Sequence, residues 1–355
     1  MNTQILDWTD KEKAAAILRQ GGIVCFPTET VFGMGAIASD ENAFHALAEL
    51  KKRPPEKPFT LMCANFTQAA QYAEIDVRSL AVMHAFMPGE ITLLLHPRQN
   101  VPFWITLGSP FIGIRIPGDQ NVREMIEKVG CPLLVPSANV SGAPTATSTE
   151  EVLASFLGKV DAVIQGKCLS KKASTIVICD QEKLTLVREG PIDFESIKKV
   201  YDLASFSISL ASDHGGFGLK EKIKKHLSDR GISVFDFGTD SLQSCDYPLF
   251  AEKAAKAVAE GEVDLGIVVC TSGEGVMMVA NKVKGVRCGI GYDDAVTGKC
   301  REHNNANMIS FGAAYMKEED VLRRVDIFLS EVFSPEEKHH RRVDEISNLE
   351  KSNNR

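Results

Sequence analysis

Short apolar runs alternate with longer stretches of helical spacing throughout the second half of the chain. The runs cover residues 206–211, 232–237, 265–269, 287–290 and 308–311. The stretches between them predict helices at 218–230, 248–259, from 276 onward and at 293–301. Five strands that alternate with helices predict a doubly wound, Rossmann-like parallel sheet. Ligands of such sheets bind outside the carboxyl ends of the strands.

The first half shows a less regular pattern of the same kind. Predicted strands cover residues 23–26, 59–63, 112–116 and 133–136, and predicted helices cover 10–20, 41–51 and 194–201. Polar, glycine-bearing segments follow several of these strands, which is where α/β proteins place their chemistry. The first half is therefore predicted to be a separate α/β domain with a twisted sheet.

Length and composition restrict the classes of protein to consider. A chain of 355 residues with 44% hydrophobic residues is too long for one ordinary core, so we predict two domains, 1–202 and 203–355. No apolar run reaches the roughly 18 residues of a membrane span, and the first residues do not resemble a signal peptide. A cytoplasmic protein without membrane contact is expected.

Cysteine usage and charge argue against two further classes. The 9 cysteines include no Cys-x-x-Cys pair, which predicts reduced thiols and no metal site. Lys and Arg number 20 against 23 Asp and Glu before residue 206, and 20 against 24 from there on. Neither half has the basic balance typical of nonspecific nucleic-acid binding.

One loop of the second half has the composition of a reactive site. Cys270 follows the apolar run 265–269 and begins the segment Cys-Thr-Ser-Gly-Glu-Gly. A glycine-bearing turn between a strand and a helix presents backbone N–H groups that suit a phosphate or an oxyanion. The same peptide dipoles favour a thiolate, which could act as base or nucleophile. The alternative is a small buried hydrophobic residue.

Three segments of the first half stand out in the same way. The segment 27–35, PTETVFGMG, is predicted to be a loop at a strand end. Lys51, Lys52 and Arg53 precede a proline turn and either bind an anion or form a solvated face. Ser137, Asn139 and the residues after them could contact phosphate oxygens.

Taken together, the motifs of the first half resemble the YrdC-type L-threonylcarbamoyladenylate synthases. That family makes threonylcarbamoyl-AMP from L-threonine, bicarbonate and ATP, with Mg²⁺ expected beside the nucleotide, as a step of tRNA modification. The resemblance implies tRNA or tRNA-modification proteins as partners. It places around ATP and threonine the residues Thr28, Thr30, Lys51, Arg53, Lys57, Arg115, Ser137, Asn139, Ser141, Ser174 and Arg188.

The motifs SDHGG, CDYP, CTSGEG, REHNNAN and HHRRV of the second half resemble ribose-5-phosphate isomerase B. The resemblance implies a homodimer or larger assembly, no cofactor, and aldose–ketose isomerisation through an enediolate. It implies catalytic roles for Cys270, Ser272, His303 and Asp213. It implies sugar-phosphate binding by His214, Asp246, Tyr247, Gly273, Gly275, Asn304, Lys338 and Arg342.

Some positions depart from the isomerase pattern. Ala314 and Lys338 stand where that family places phosphate-binding arginines; alanine loses the charge, and lysine loses the bidentate fork. Three alternatives to these interpretations stay open, two for the second half and one for the first. The second half could act on hexose phosphates or be an inactive dimerisation platform, and the first half could serve mainly as an RNA-binding module.

Overall fold

Two sheets organise the chain, one in each of its two compact units, Met1–Leu203 and Ala204–Arg355. The computed structural model describes residues 2–54, 56–170 and 172–352. Among these residues, no helix is both long and apolar enough to cross a bilayer.

The first unit contains a mixed sheet with the strand order β1-β8-β2-β3-β7-β4-β6-β5-β9-β10. Its strands are β1 Gln4–Leu6, β2 Val24–Phe26, β3 Gly33–Ile37, β4 Leu61–Met62, β5 Ile91–Leu95, β6 Ile112–Arg115, β7 Leu133–Leu134, β8 Ala162–Ile164, β9 Thr175–Cys179 and β10 Leu184–Arg188. The α-helices described in this unit are α1 Lys11–Arg19, α2 Glu41–Lys51, α3 Phe66–Tyr72, α4 Val77–Phe86, α5 Phe103–Thr106, α6 Gln120–Val129, α7 Thr149–Phe156 and α8 Phe194–Asp202.

Helix α2 shows how the sequence fixes an element that carries a site residue. The Asp40 side chain accepts a hydrogen bond from the N–H of Asn42 and begins the helix, as expected of an N-cap aspartate. Phe44 and Leu47 are buried on its inner face. Lys52 adopts a left-handed conformation with φ +50° and ends the helix, so Lys51 is held at the last helical position.

The prediction that 27–35 is a loop throughout is wrong at its end. Strand β3 begins at Gly33 and pairs antiparallel with β2. A Cβ built on Gly35 would lie 2.7 Å from the Phe26 ring, and one on Gly33 would lie 2.6 Å from Val135. The glycines therefore allow close packing inside the sheet instead of forming a turn.

The second unit has an all-parallel sheet in the order β12-β11-β13-β15-β14, which confirms the predicted fold class. The strands are β11 Ser207–Ser212, β12 Ser233–Asp236, β13 Leu265–Cys270, β14 Cys288–Ile290 and β15 Met308–Gly312. The helices described there are α9 Phe217–Ser228, α10 Tyr247–Ala259, α11 Glu274–Ala280, α12 Asp294–Asn304, α13 Glu318–Ser330 and α14 Glu337–Ser352.

The core of this unit positions the loop that begins at Cys270. Every residue of β13 is buried, and the alanine-lined face of α10, with Ala251, Ala254 and Ala255, belongs to the same apolar cluster as Val268. Small side chains let the helix approach the strand closely. The strand order changes direction between β11 and β13, so their carboxyl ends form the crevice in which such folds bind ligands.

Candidate active sites

The hydroxyls of the segment after β2 are ordered by one another. Thr28 and Thr30 are buried, and their Oγ1 atoms lie 2.9 Å apart. Thr28 Oγ1 also donates to the carbonyl of Val31 at 2.7 Å. These bonds fold residues 28–31 into a compact turn with Glu29 between the two threonines. We call this segment the threonine turn.

Arg115, at the end of β6, reaches into this turn. One of its terminal nitrogens donates to Thr30 Oγ1 and to Glu29 Oε1, both at 2.8 Å. The N–H of Gly118 donates to the same carboxylate oxygen at 2.8 Å. The buried Nε of Arg115 has no partner among the described residues. Because a buried polar group without a partner is costly, this N–H is a donor available to a ligand.

A second arginine ends β10 beside the first. Arg188 donates to the carbonyl of Ser174 at 2.7 Å and to its hydroxyl at 3.2 Å. Burial and, to a lesser extent, the charge of Arg115 lower the pKa of Arg188. The two guanidinium groups are therefore close enough to repel each other. An anionic ligand would relieve that repulsion.

Lys51 occupies a cage of neutral oxygens at the end of α2. Its side chain is only 3% exposed. The ammonium donates to the carbonyls of Ser137 and Asn139 at 2.6 and 2.9 Å, and to Asn139 Oδ1 at 2.8 Å. Burial, with the nearby charge of Arg53, lowers the pKa of Lys51 to about 8. No carboxylate balances this buried cation among the described residues.

The same loop closes over the end of the helix through Ser141. Its N–H and its hydroxyl donate to the carbonyl of Lys51 at 3.0 and 3.1 Å. Ser137 Oγ donates to Asn139 Oδ1 at 2.6 Å. Lys51, Ser137, Asn139 and Ser141, which the sequence predicts to share a site, are thus brought together. We call these four residues the lysine cage.

Arg53 lies next to the lysine cage, whereas the Lys57 side chain does not take part in it. Arg53 Nε donates to the carbonyl of Lys57 at 2.7 Å, and its guanidinium lies 4.6 Å from the ring centroid of Phe59. Only the backbone of Lys57 is used, and its side chain is exposed. The structure therefore leaves an ATP-binding role for Lys57 as a prediction.

Backbone hydrogen bonds join the lysine cage to the threonine turn. The N–H of Ala138 donates to the carbonyl of Phe32 at 2.7 Å, and that of Met34 donates to Pro136 at 2.9 Å. These bonds connect the loop that holds Lys51 to the chain that follows Thr30, whose hydroxyl accepts a hydrogen bond from Arg115. An arrangement of this kind can hold a polyanion and a second small polar molecule side by side.

In the second unit, the loop after β13 is shaped around the thiol of Cys270. The N–H of Gly273 donates to Cys270 Sγ at 3.1 Å, so a backbone donor is directed at the sulfur. Gly273 has φ +85°, and a Cβ there would lie 2.9 Å from the carbonyl carbon of Phe311. Only glycine fits both the conformation and the space. The hydroxyl of Ser272 accepts the N–H of Glu274 at 3.3 Å.

The end of β11 and the start of α10 lie beside this loop. The carboxylate of Asp213, which is buried, accepts the N–H of Gly216 at 3.0 Å. His214 Nδ1 accepts the N–H of Cys245 at 3.2 Å. A Cβ on Gly275 would lie 2.9 Å from Cζ of Tyr247, so the tyrosine ring rests on the loop. Asp246 is the N-cap of α10.

His303 lies in a different place, near the start of α14. Its ring stacks on that of His339 with centroids 4.1 Å apart and planes 14° apart. Its Nε2 lies 3.8 Å from Glu302. Asn304 follows at the end of α12 and lines a cavity of about 420 Å³. Within the described residues, no hydrogen bond, ion pair or ring contact joins His303 to the Cys270 loop.

The remaining positions that the resemblance predicts to bind phosphate divide in the same way. Lys338 and Arg342 are one helical turn apart on α14, and Lys338 pairs with Glu336 at 2.5 Å. Ala314 instead lies beside the Cys270 loop, where its N–H donates to the carbonyl of Thr271 at 3.0 Å. Within one chain, Lys338 therefore lies near His303, whereas Ala314 lies beside Cys270.

Glu29 is a site residue that our sequence reasoning missed. It binds Arg115 and the N–H groups of Gly118 and Asp119, and so orders the segment after β6. A carboxylate between two buried threonines should have indicated a cationic partner. That partner is 86 residues away and could not be named from local sequence.

The two halves of the chain match two different protein families. Residues 16–190 match the Sua5/YciO/YrdC family model, described as telomere recombination. Residues 208–346 match the LacAB/RpiB model, described as ribose/galactose isomerase.

Individual relatives agree with both matches. A threonylcarbamoyl-AMP synthase of Pyrococcus abyssi is 37% identical over 53% of this chain, which spans only 56% of that protein. The solved structure of a P. abyssi Sua5 variant is similar, with TM-score 0.54 and 27% identity, covering 79% of this chain and 95% of that one.

Ribose-5-phosphate isomerase B of Escherichia coli is 37% identical over 41% of this chain and 98% of its own length. The chain thus joins a member of the Sua5/YciO/YrdC family, in its first half, to a member of the LacAB/RpiB sugar-phosphate isomerase family, in its second half.

Proposed function

We propose that the first half synthesises threonylcarbamoyl-AMP from L-threonine, bicarbonate and ATP, as a step of tRNA modification. The observation that carries the proposal is the lysine cage: a buried ammonium that has no carboxylate partner among the described residues and is hydrogen-bonded to a loop that joins the threonine turn. Such a cation has its charge available for a triphosphate. The similarity to threonylcarbamoyl-AMP synthases supports the choice of reaction.

In this reaction the amine of threonine attacks bicarbonate and water leaves, which gives a carbamate; an oxygen of the carbamate then attacks the α-phosphate of ATP, and pyrophosphate leaves. The lysine cage and Arg53 would neutralise charge that develops on the phosphates. Arg115 and Arg188 would hold the carboxylated amino acid. Mg²⁺ is proposed to accompany the nucleotide, since the phosphates of ATP are themselves ligands of that ion.

Nucleotide affinity should fall as the pH rises through about 8. Because burial and Arg53 lower the pKa of Lys51 to about 8, its charge is present below that pH and lost above it. Calorimetric titration with a non-hydrolysable ATP analogue from pH 6.5 to 9.5 measures this without threonine or bicarbonate. An affinity that is constant across this range would show that Lys51 does not bind the nucleotide as a cation.

We propose that the second half interconverts an aldose phosphate and a ketose phosphate, with ribose 5-phosphate as the first substrate to test. The observation that carries this proposal is the bond from the Gly273 N–H to Cys270 Sγ. In the proposed step, the Cys270 thiolate removes the proton from C2 and the enediolate forms. The same proton is then returned to C1 while the hydroxyl proton of O2 passes to O1, which gives the ketose without a redox cofactor. Backbone N–H groups of the loop would hold the enediolate oxygen.

The separation of His303 from Cys270 within one chain supports a site shared between two chains. We propose a homodimer in which His303, Lys338 and Arg342 of one chain complete the site of the other. Exposed apolar side chains, including Leu242, Leu249 and Met278, offer surface for such an interface.

Mixing two inactive variants should restore isomerase activity if the site is shared. In dimers formed at random from Cys270→Ala and His303→Ala chains, half are mixed and each mixed dimer has one intact site. About a quarter of the wild-type activity is therefore expected. Subunit exchange is verified by mass spectrometry of isotopically labelled chains. Complete exchange without any recovered activity would place both residues in the same site of one chain.

Because position 314 is not an arginine, the identity of the sugar-phosphate substrate has to be determined by assay. Ala314 provides no charge beside the Cys270 loop, whereas Lys317 and Arg324 line a cavity together with Ser272 of that loop. A panel of pentose 5-phosphates and hexose 6-phosphates, assayed with the full chain, identifies the preferred substrate.

The same preparation, assayed for threonine- and bicarbonate-dependent pyrophosphate release, tests the first half. Salt-dependent tRNA binding without that release would instead favour an RNA-binding module.

A further inference from the structure

His339 is a buried polar residue to which neither half of the proposed chemistry assigns a role. It lies in the first turn of α14 and is 3% exposed. Neither of its ring nitrogens has a hydrogen-bond partner among the described residues. Buried polar side chains nearly always have one, so this exception calls for an explanation.

The contact that His339 does make is with the face of another histidine. Its ring and that of His303 are nearly parallel, with planes 14° apart and centroids 4.1 Å apart. The side chain of His303 remains 38% exposed. His339 therefore covers one face of His303 and fixes the plane of its ring, while part of the ring stays accessible to a substrate.

Charged groups of both helices surround the stacked pair. Glu302 and Lys299 face His303 from α12, Lys338 faces it from α14, and Glu336 precedes that helix. Burial is the largest influence and lowers the pKa of His303; Lys299, His339 and Lys338 act in the same direction, and Glu302 opposes them. A residue that transfers a proton near neutral pH benefits from being neutral there.

We propose that His339 is a positioning residue, which holds the ring of His303 in one orientation and shields one of its faces from solvent. The inference rests on the proposed isomerase function, in which His303 assists opening of the sugar ring. Within the described residues, the ring nitrogens of His339 make no hydrogen bond, and the contact of this ring with His303 is made through its flat face. A planar apolar ring at position 339 should therefore replace it.

The test compares His339→Phe with His339→Ala in the full chain. The titration of His303 is followed by NMR of histidine-labelled protein, assigned with His303→Gln, and ribose 5-phosphate isomerisation is measured in parallel. In His339→Ala we expect the pKa of His303 to rise and kcat to fall about 2- to 10-fold, as expected for loss of an aromatic pair, with KM nearly unchanged. His339→Phe should retain both wild-type values. His340→Ala, an exposed neighbour, is the control and should change neither.

If His339→Ala does not fold, His339→Leu fills the same space without a planar ring and should show the fall in kcat. The inference is overturned if the titration of His303 is the same in wild type and His339→Ala, or if His339→Phe loses as much activity as His339→Ala. A wild-type chain that converts no sugar phosphate would refute the proposed function alone, because the NMR titration still reports whether His339 controls His303.

Discussion

Replacing Cys270 with serine is expected to lower isomerase kcat/KM by about 10²- to 10⁴-fold, the usual contribution of a catalytic acid or base. Serine keeps the size and polarity of the side chain and can still accept the N–H of Gly273, which bonds to Sγ in the wild type. A hydroxyl, however, is far less acidic than a thiol and does not supply a base near neutral pH. The measurement is the rate of ribose 5-phosphate isomerisation by the purified full chain.

Alkylation offers a second view of the same thiol. Cys131, Cys245 and Cys300 are more exposed than Cys270, so accessibility alone would make them react first. If Cys270 reacts fastest and a sugar phosphate protects it, the reactivity reflects its thiolate. Cys131→Ser, in the other unit, controls for the loss of a thiol.

Two results would contradict the assignment of Cys270. If Cys270→Ser retains most of the activity, another group is the base, and Glu274 of the same loop is the next residue to replace. If the wild-type chain converts no aldose phosphate, the second half is better explained as a dimerisation platform. Pyrophosphate release should be unaffected by Cys270→Ser in either case, since each unit has its own core.

Replacing Lys51 with alanine is expected to lower threonine-dependent pyrophosphate release by about 10²- to 10³-fold. The loss of one preorganised donor to transition-state charge typically has this effect. The change also removes the hydrogen bonds that hold Ser137 and Asn139 at the end of α2, so the loop loses its anchor. Lys51→Arg should not restore activity, because a planar guanidinium does not fit a cage built for a compact ammonium.

Lys52→Ala is the matched control, since Lys52 is the next residue, carries the same charge and is exposed. It should retain nearly normal pyrophosphate release. Isomerase activity should be unchanged in both variants, which shows that the second unit is intact, and circular dichroism checks the folding of the first unit. Normal pyrophosphate release by Lys51→Ala would remove the lysine cage from the catalytic site.

Local sequence predicted those helices and strands whose bounds and buried faces are determined by residues within the element or next to it. Strand β13 is apolar throughout and buried, and its end falls at Cys270, one residue beyond the predicted run. Helix α2 has its N-cap and its buried face within a few residues, and its predicted bounds of 41–51 agree with the structure.

The contacts that local sequence did not specify are made between residues far apart in the chain. The ammonium of Lys51 bonds to groups 86 and 88 residues away, and the strand at Gly33 depends on the fit against Phe26 and Val135. His339 belongs to a motif that the sequence identified, but its burial results from packing of α14 on α12. Such contacts follow from the tertiary fold and leave no periodic signal.

The glycine at position 273 bears on how this loop can evolve. Its φ of +85° and its closeness to the backbone of Phe311 leave it no acceptable replacement, because strand β15 limits the path of the loop from below. Glu274, the next residue, is exposed and meets no such restriction. Substitution at position 274 can therefore change the side chain beside Cys270 while the loop keeps its path, so the proposed isomerase site could accept a different sugar without a change in the proposed base.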